Sequence, residues 1–339
     1  ASDVFFYASN GHGVWEAASA NLGSDQHSLL IAGSGHFSDQ WAVQTTALGL
    51  PVIRTPHTEG QQIDVAAIEA ALRADTAHKI SAVMVVHTDT ASGITSDLQA
   101  IRAAINRTGH PALYVVDVVA SLGAAPFDMD ALGADVCLGS SQKGLMMPPG
   151  LGFVAVNAKA FAWSEAHAKP RYYWSWLERK TDNQSAKFCG TPPLAHLAGL
   201  EVSLGLLKEE GLTAVYARHH RLGAAVRAAV TCWSSAGAIK LHCQDPKGFS
   251  SSVTAIEVAP GIDPEAMRTV AREKFQVAIA GGLGPLAGRV FRIGHLGDMN
   301  EPMILGALAG VEAAMTVQKI PYGPNGMAAA IAYLAQHTP

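Results

Sequence analysis

Three apolar runs of the sequence end in side chains that can do chemistry. The run ALYVVD ends in Asp117, the run DVCLG is followed by S-S-Q-K with Lys143 as its last residue, and the run VMVVH is followed by T-D-T at 88–90. A lysine in a mostly apolar pocket has a lowered pKa and can form a Schiff base with an aldehyde. A carboxylate nearby can keep the ring nitrogen of pyridoxal phosphate protonated, so that the ring accepts electrons. Asp117 and Lys143 together indicate a site of this kind.

Each of these two residues also has an ordinary structural interpretation. Asp117 lies in an apolar run, where an acid is costly without a partner, so it could cap a helix or pair with a cation on a neighbouring strand. Lys143, taken alone, is typical of an exposed loop. The position of both residues at successive strand ends favours the chemical interpretation, because ligands bind at the carboxyl ends of the strands in open α/β sheets.

A glycine-rich turn precedes the first predicted helix. Residues 8–13 read A-S-N-G-H-G, and the helical pattern begins near Val14. Backbone N–H groups in such a turn can bind a phosphate at the positive end of the helix. An ordinary helix cap by Ser9 or Asn10 explains the same pattern equally well.

The elements that must position these residues alternate along the first half of the chain. Runs that are apolar throughout predict strands buried on both faces, at 28–32, 51–55, 82–87, 112–118, 135–139 and 152–156. Helical patterns lie between them, at 14–21, 38–48, 65–73 and 98–107. This alternation predicts an α/β fold with a mostly parallel sheet and right-handed crossovers.

The second half of the chain has a different pattern. Long helical stretches at 194–210 and 212–230 are followed by short strands, at 253–258 and 290–295, that alternate with helices. We therefore predict a large cofactor-binding domain over residues 1–211 and a small C-terminal α+β domain over residues 212–339.

Composition excludes several classes of protein. The 339 residues include 24 basic and 28 acidic side chains, for a net charge of −4, so we expect no nucleic-acid partner. The sequence has no apolar stretch long enough for a bilayer, so we expect no membrane association. The four cysteines lack C-x-x-C spacing and the histidines lack H-E-x-x-H spacing. We accordingly expect no disulfide framework, no metal site and a cytoplasmic location.

Several motifs in combination resemble the class V aminotransferases of pyridoxal phosphate fold type I, which include serine–glyoxylate and alanine–glyoxylate enzymes. Lys143 follows Asp117 by 26 positions within VVDVVASLGAAPFDMDALGADVCLGSSQKGLMMPPG, and F-R-I-G-H-L-G occurs later. The segments FCGTPPLAHLAGL and RIGHLGDMNEP are most similar to the serine–glyoxylate branch. The resemblance covers nearly the whole chain. It implies a pyridoxal phosphate cofactor and a mostly parallel seven-stranded sheet in the large domain.

The resemblance implies a role for each matching position. Lys143 forms the covalent link to the cofactor and moves the substrate proton, while Asp117 pairs with the ring nitrogen. The other implied assignments are Gly11, His12 and Gln142 for the cofactor phosphate, Phe37 for stacking on the ring, Thr90 for the ring hydroxyl, Thr191 for the phosphate in a neighbouring subunit, and Arg292 for the substrate α-carboxylate. The assignment of Thr191 implies a homodimer with a shared active site. Without the resemblance, Arg292 is more typical of a salt bridge at a strand edge.

Three departures from the family pattern bear on the function. Phe188 stands where alanine–glyoxylate members carry a phosphate-binding tyrosine, which favours the serine–glyoxylate branch. Asp89 stands where that branch usually has glutamate, so an acid beside the site is shorter. The N-terminal segment of the family, which includes a P-G-P motif, has no counterpart before Ala1, and we expect that segment to be missing from this sequence.

We therefore expect a ping-pong transaminase that moves the amino group of a small amino acid to glyoxylate or a similar 2-oxo acid. Serine is the first expected donor, followed by alanine or aspartate. One alternative is a cysteine desulfurase or lyase, which needs a mobile reactive cysteine, and Cys189 is the nearest to a predicted active-site loop. A second alternative is a catalytically silent binding subunit, although such a subunit has no need of Asp117, Lys143 and Arg292 together.

Overall fold

The computed structural model of the protein describes residues 1–167 and 171–338. Within these residues the strands are β1 Asp3–Tyr7, β2 Ser28–Ile31, β3 Val52–Arg54, β4 Ile80–Val86, β5 Thr88–Asp89, β6 Ile94–Thr95, β7 Leu113–Asp117, β8 Val136–Ser140, β9 Gly152–Val156, β10 Ile239–Leu241, β11 Val253–Val258, β12 Ala280–Gly281 and β13 Val290–Gly294.

The helices within the described residues are α1 Gly11–Leu22, α2 His36–Ala47, α3 Val65–Ala74, α4 Leu98–Thr108, α5 Met129–Leu132, α6 Ala158–His167, α7 Trp176–Arg179, α8 Gln184–Lys187, α9 Leu194–Glu210, α10 Leu212–Trp233, α11 Pro264–Phe275, α12 Glu301–Val317 and α13 Gly326–Gln336. Short 3₁₀ turns occur at Ser234–Ala236, Pro246–Gly248 and Gly284–Leu286.

A seven-stranded sheet with the order β1-β9-β8-β7-β4-β2-β3 forms the centre of the large unit. Its strands pair in parallel from β3 to β8, whereas β9 is antiparallel to both β8 and β1. The α/β prediction and the mostly parallel seven-stranded sheet are confirmed, and the six predicted strands agree with the observed ones to within two residues at each end. The strand β1 is an addition to the predicted set.

The apolar runs form strands because helices cover both faces of this sheet. One face packs in a cluster with α1 and α2 that includes Trp15, Trp41 and Trp176. The other face packs against α3 and α4 through residues such as Ile68 and Ile101. A strand with apolar side chains on both faces is stable only when both faces are covered, and every residue of β4 and β7 is buried.

The sheet register brings the ends of β4, β7 and β8 together. Val86 at the end of β4 is opposite Asp117 at the end of β7, and Asp117 is opposite Leu138 on β8. The segments that follow these strands therefore leave the sheet at one edge. This is the edge at which open α/β sheets bind ligands.

A second sheet, antiparallel throughout, has the order β10-β11-β13-β12. It shares a core with α10, α11, α12 and α13 that includes Trp233, Phe291 and Met315. The helix α11 begins as its sequence indicates, since Asp263 caps it with its side chain and Pro264 occupies its first turn.

The boundary at residue 211 stays a prediction. Gly211 separates α9 from α10 and has a φ of +84°, a conformation that favours glycine. Val215 of α10 nevertheless packs in one cluster with Leu200 of α9 and Leu151 before β9, so α10 contacts the large unit as well as the small one. Among the described helices, none combines the length and the apolar character that a membrane span needs.

Candidate active site

A cleft of about 190 Å³ opens at the ends of β4, β7 and β8, beside the first turn of α1. Its lining residues are Asn10, Gly11, His12, Trp15, Phe37, Val86, Thr88, Thr90, Asp117, Val119, Ala120, Gln142, Lys143 and Pro149. Seven of the eight residues predicted for the catalytic and cofactor site therefore surround one space. The eighth, Thr191, lies elsewhere.

Asp117 is the last residue of β7, and its side chain is only 4% exposed. Oδ1 accepts the backbone N–H of Val119 at 2.7 Å, and Oδ2 accepts the indole Nε1–H of Trp15 at 2.7 Å. Burial raises the pKa of Asp117 to about 6, and these two donors limit the rise. The carboxyl group is thus ionised at neutral pH in a mostly apolar setting, where it can pair with a cationic ring nitrogen.

Lys143 lies in the turn after β8 and is partly buried in the cleft wall, so it is not the freely exposed loop lysine of the alternative interpretation. Burial lowers the pKa of its ammonium group, and the charge of Arg292 lowers it further, while Asp117 acts in the opposite direction. A lowered pKa increases the fraction of free amine, which is the form that attacks an aldehyde and accepts a proton.

The first turn of α1 agrees with both interpretations of the glycine-rich segment, as a helix cap and as part of a ligand site. Asn10 caps the helix, and its Oδ1 accepts the N–H groups of His12 at 3.1 Å and Gly13 at 3.3 Å. Gly11 and His12 also line the cleft, at the positive end of the helix. Burial lowers the pKa of the His12 ring, so the ring is neutral at pH 7 and any anion attraction there comes from the helix end.

Asp89 organises the wall formed by α2 and the loop after β5. Its carboxylate is 1% exposed and accepts the backbone N–H groups of Phe37 at 3.0 Å, Ala91 at 2.8 Å and Ser92 at 3.3 Å. Phe37 and Thr90 are thereby held on the cleft wall by one buried side chain. From the sequence, Asp89 stands out only as a departure from the family pattern, because nothing in the local sequence indicates its bond to a residue 52 positions away.

Arg292 comes from β13 of the second sheet and reaches the edge of the cleft. Its Nε–H donates to the carbonyl of Gly281 at 2.7 Å, and Nη1 donates to the carbonyl of Thr90 at 2.6 Å. Its charge is close enough to lower the pKa of Lys143. The guanidinium group is therefore fixed beside the cleft by two backbone carbonyls, which explains its position better than a salt bridge at a strand edge.

The remaining predicted residues occupy two different environments. Gln142 lines the cleft, and its Oε1 accepts the hydroxyl of Ser140. Thr191 is exposed and lies outside the cleft lining, as does Cys189, which has a φ of +54° in the loop between α8 and α9. Thr191 is therefore not part of the site formed by its own chain, and its role in a neighbouring subunit stays a prediction.

Cavity size alone does not locate the chemistry in this protein. A larger groove of about 740 Å³ lies beside β1, β9 and α9, and its lining, which includes Val4, Phe6 and Leu204, is almost wholly apolar. None of the described residues that line it carries a carboxylate. The smaller cleft is the candidate site because Asp117, Lys143 and the N-terminal end of α1 at Gly11 all line it.

A separate group of possible metal ligands consists of Glu59, His242 and Glu257, whose ligand atoms all lie within 4.8 Å of one another. Arg289 pairs with Glu59 at 2.7 Å and with Glu257 at 3.4 Å, so both carboxylates already have a cationic partner. We therefore interpret the group as an ion-pair network.

The family model for class V aminotransferases matches residues 2–287. The chain belongs to the class V aminotransferase family. The match covers the whole seven-stranded sheet and the cleft, although Arg292 lies just beyond it.

Two curated relatives have similar sequences over nearly the whole chain. A serine–glyoxylate aminotransferase of Methylorubrum extorquens is 41% identical over 98% of this chain and 84% of its own length. An L-aspartate–glyoxylate aminotransferase of Paracoccus denitrificans is 38% identical over 99% of this chain and 84% of its own length. Among solved structures, the pyridoxamine–pyruvate aminotransferase of Mesorhizobium loti superimposes with a TM-score of 0.88 at 28% identity, covering 99% of this chain and 85% of that one.

Pyridoxal phosphate is the cofactor of this family, and the cleft of this class V aminotransferase fits it on its own features. A buried carboxylate with two hydrogen-bond donors suits a protonated pyridine nitrogen. A lysine whose pKa is lowered suits an aldehyde, and the helix end at Gly11 suits a phosphate. The sequence-based prediction of family, fold and cofactor is therefore confirmed.

Proposed function

We propose that this enzyme transfers the amino group of L-serine to glyoxylate by a ping-pong mechanism, with alanine and aspartate as weaker donors. The observation that carries this proposal is that Lys143 and Asp117 line one cleft and Arg292 reaches its edge, so that the charges of Asp117 and Arg292 both act on the pKa of Lys143. The similarity to enzymes named for serine and aspartate transfer to glyoxylate supports the choice of substrates.

When bound, pyridoxal phosphate supplies an aldehyde that bonds to amines and a ring that accepts electrons. Lys143 would hold the cofactor at rest, and its freed amine would then take the α-proton of the amino acid and deliver it to the carbon that carried the cofactor's aldehyde. Asp117 would keep the ring nitrogen protonated throughout. Arg292 binds the α-carboxylate of each substrate with the N–H groups that its two backbone contacts leave available.

The other site assignments belong to the same proposal. Gly11, His12 and Gln142 hold the cofactor phosphate, Phe37 covers one face of the ring, and Thr90 donates to the ring hydroxyl. All of these residues line the cleft, which supports the assignments. The half-buried setting of Phe37 and the fixed loop at Thr90 both depend on Asp89.

We also propose a homodimer in which Thr191 completes the active site of the neighbouring subunit. The exposed position of Thr191, next to α9, supports this assembly. Leu194, Val202 and Leu206 of α9 are 67%, 63% and 53% exposed, and their spacing sets them on one helix face. A row of this kind on a helix surface is typical of a protein interface. Mixing Lys143→Ala and Thr191→Ala subunits tests the assembly. If the site is shared, one site of the mixed dimer combines an intact Lys143 with an intact Thr191, so activity returns only in the mixed dimer.

Two further proposals concern organisation and location. We propose that residues 1–211 and 212–339 are two domains, supported by the separate cores around the two sheets. We propose a cytoplasmic location, supported by four cysteines that are all unpaired.

A spectroscopic experiment tests the proposed activity. We expect L-serine to abolish the visible absorption of the lysine-bound cofactor in the holoenzyme, and glyoxylate to restore it. The transaminase proposal fails if serine, alanine and aspartate all leave the spectrum unchanged. Release of sulfur from L-cysteine without any 2-oxo acid would instead support the desulfurase alternative, which the position of Cys189 outside the cleft lining disfavours.

A further inference from the structure

Trp15 makes a direct contact with the catalytic carboxylate that no local sequence motif indicates. It lies in α1, four positions after Gly11 and on the same helix face, and is only 3% exposed. Its indole Nε1–H donates to Oδ2 of Asp117 at 2.7 Å, between residues 102 positions apart. The distance is that of a charge-assisted hydrogen bond, which is about twice as strong as a neutral one.

The second oxygen of Asp117 is held as well. Oδ1 accepts the backbone N–H of Val119 at 2.7 Å, so one donor fixes each oxygen and the plane of the carboxylate is set. Three titratable groups interact electrostatically with Asp117. They are Asp89, Lys143 and the thiol of Cys137 on β8. Of these three groups, Lys143 favours the ionised form and Asp89 disfavours it.

The indole ring of Trp15 is itself fixed from three sides. It stacks on Trp41 with ring centroids 5.5 Å apart and an interplanar angle of 11°. Phe37 meets it edge-on at 6.2 Å, and His12 lies at 4.6 Å. Because the donor cannot rotate away, its N–H remains directed at Asp117, and the same ring supports two further residues of the proposed cofactor site.

We propose that Trp15 is a positioning residue whose N–H holds Asp117 as an oriented carboxylate, ready to bind the protonated ring nitrogen of the cofactor. The proposal rests on the proposed function only through the role of Asp117, because it concerns cofactor binding and needs no particular substrate.

The proposal predicts a pH-dependent defect when the donor is removed. Burial already raises the pKa of Asp117 to about 6, and loss of a hydrogen bond to a charged group raises it by about one to two further units. If the pKa of Asp117 rises by the middle of that range, the cofactor affinity falls about fourfold at pH 7 and by more than about tenfold at pH 6. The loss vanishes near pH 9, where the carboxyl group is ionised with or without the indole.

The experiment compares Trp15→Phe with wild type by equilibrium dialysis of the holoenzyme from pH 6 to pH 9, with pyridoxal phosphate as the ligand. Trp233→Phe is the matched control, because the N–H of Trp233 also donates to a carboxylate oxygen at 2.7 Å, that of Glu312, but in the core of the second sheet. A second variant carries benzothienylalanine at position 15, which keeps the bicyclic shape and lacks the N–H, in case phenylalanine disturbs folding.

We expect both variants at position 15 to lose affinity increasingly as the pH falls, and Trp233→Phe to follow the wild-type profile. A loss of equal size at every pH would overturn the proposal, because it indicates a packing effect only. Wild-type affinity in the benzothienylalanine variant at pH 6 would also overturn it. Neither result bears on whether serine and glyoxylate are the substrates, which the spectroscopic experiment decides independently.

Discussion

The substitution Arg292→Lys tests the proposed carboxylate site most sharply. Arg292 donates its Nε–H to the carbonyl of Gly281 and one Nη1–H to the carbonyl of Thr90. The remaining N–H groups of the guanidinium are available to a substrate. Lysine keeps the positive charge but offers only a point donor on a flexible stem. It cannot satisfy both carbonyls and also bind a carboxylate through two parallel bonds.

The expected loss follows from the hydrogen bonds removed. A hydrogen bond to a charged group contributes about 1.5–3 kcal/mol, and each 1.36 kcal/mol corresponds to a factor of ten in rate. Loss of one such bond to the substrate therefore lowers kcat/KM for L-serine by about 10- to 150-fold. The affinity for pyridoxal phosphate is expected to change by less than about threefold, since Arg292 is assigned to the substrate and lies outside the cleft lining.

The assay is the first half-reaction of the holoenzyme with L-serine, followed by the change in cofactor absorption. Arg218→Lys is the matched control, because Arg218 also donates to two backbone carbonyls, those of Gly297 at 2.8 Å and Met299 at 3.0 Å, and does not line the cleft. Ethanolamine, which lacks the carboxylate, serves as the second control and is expected to react equally slowly with wild type and with Arg292→Lys. A kcat/KM for serine within about threefold of wild type would refute the reasoning.

Three further predictions concern the support of the site. Asp89→Asn directs an amide donor at one of three backbone N–H groups that now donate to the carboxylate. We therefore expect urea titration to report a free energy of unfolding lower by about 1–3 kcal/mol. An unchanged free energy of unfolding would contradict the assigned role of Asp89. Gly123→Ala sets a Cβ 2.9 Å from the carbonyl oxygen of Gly144, whereas Gly133→Ala, with a similar φ of +71°, meets nothing closer than 3.7 Å. We expect the first variant to lower the midpoint of thermal unfolding more than the second, and equal midpoints would show that the close approach is not limiting. Burial lowers the pKa of His295 to about 3, so its neutral form stabilises the fold fully above pH 6.5, and this contribution is lost as the pH falls toward 3, by at most about 1.4 kcal/mol per pH unit. Urea titrations from pH 7 to pH 4 are expected to have a smaller pH slope in His295→Gln, and identical slopes would exclude His295 as the source.

The parts of the fold that were predictable are those determined by local pattern. Runs such as VMVVH and ALYVVD are apolar throughout because helices cover both faces of the sheet, so the strands could be located from the sequence. The same runs end at the cleft, which is why Asp117 and Lys143 could be selected from their positions along the chain.

The contacts that tune the site were not predictable in this way. The bond from Trp15 to Asp117 joins residues 102 positions apart, and the bond from Arg292 to Thr90 joins residues 202 positions apart. Such contacts depend on how the two sheets and α1 pack, and no spacing rule encodes them. The strand β1 was not predicted, and it differs from the predicted strands of the parallel sheet in lying at the sheet edge with only two of its five residues buried. Thr191 is exposed, and its predicted role depends on a second subunit.

The most direct test of the central claim follows the nitrogen atom itself. Holoenzyme is incubated with [¹⁵N]serine and unlabelled glyoxylate, and the products are analysed by mass spectrometry, with Lys143→Ala run in parallel. The account predicts equal amounts of [¹⁵N]glycine and hydroxypyruvate from the wild type, and a rate lowered by at least about a hundredfold in Lys143→Ala. Unlabelled glycine, an absence of transfer from wild type, or undiminished turnover by Lys143→Ala would contradict it.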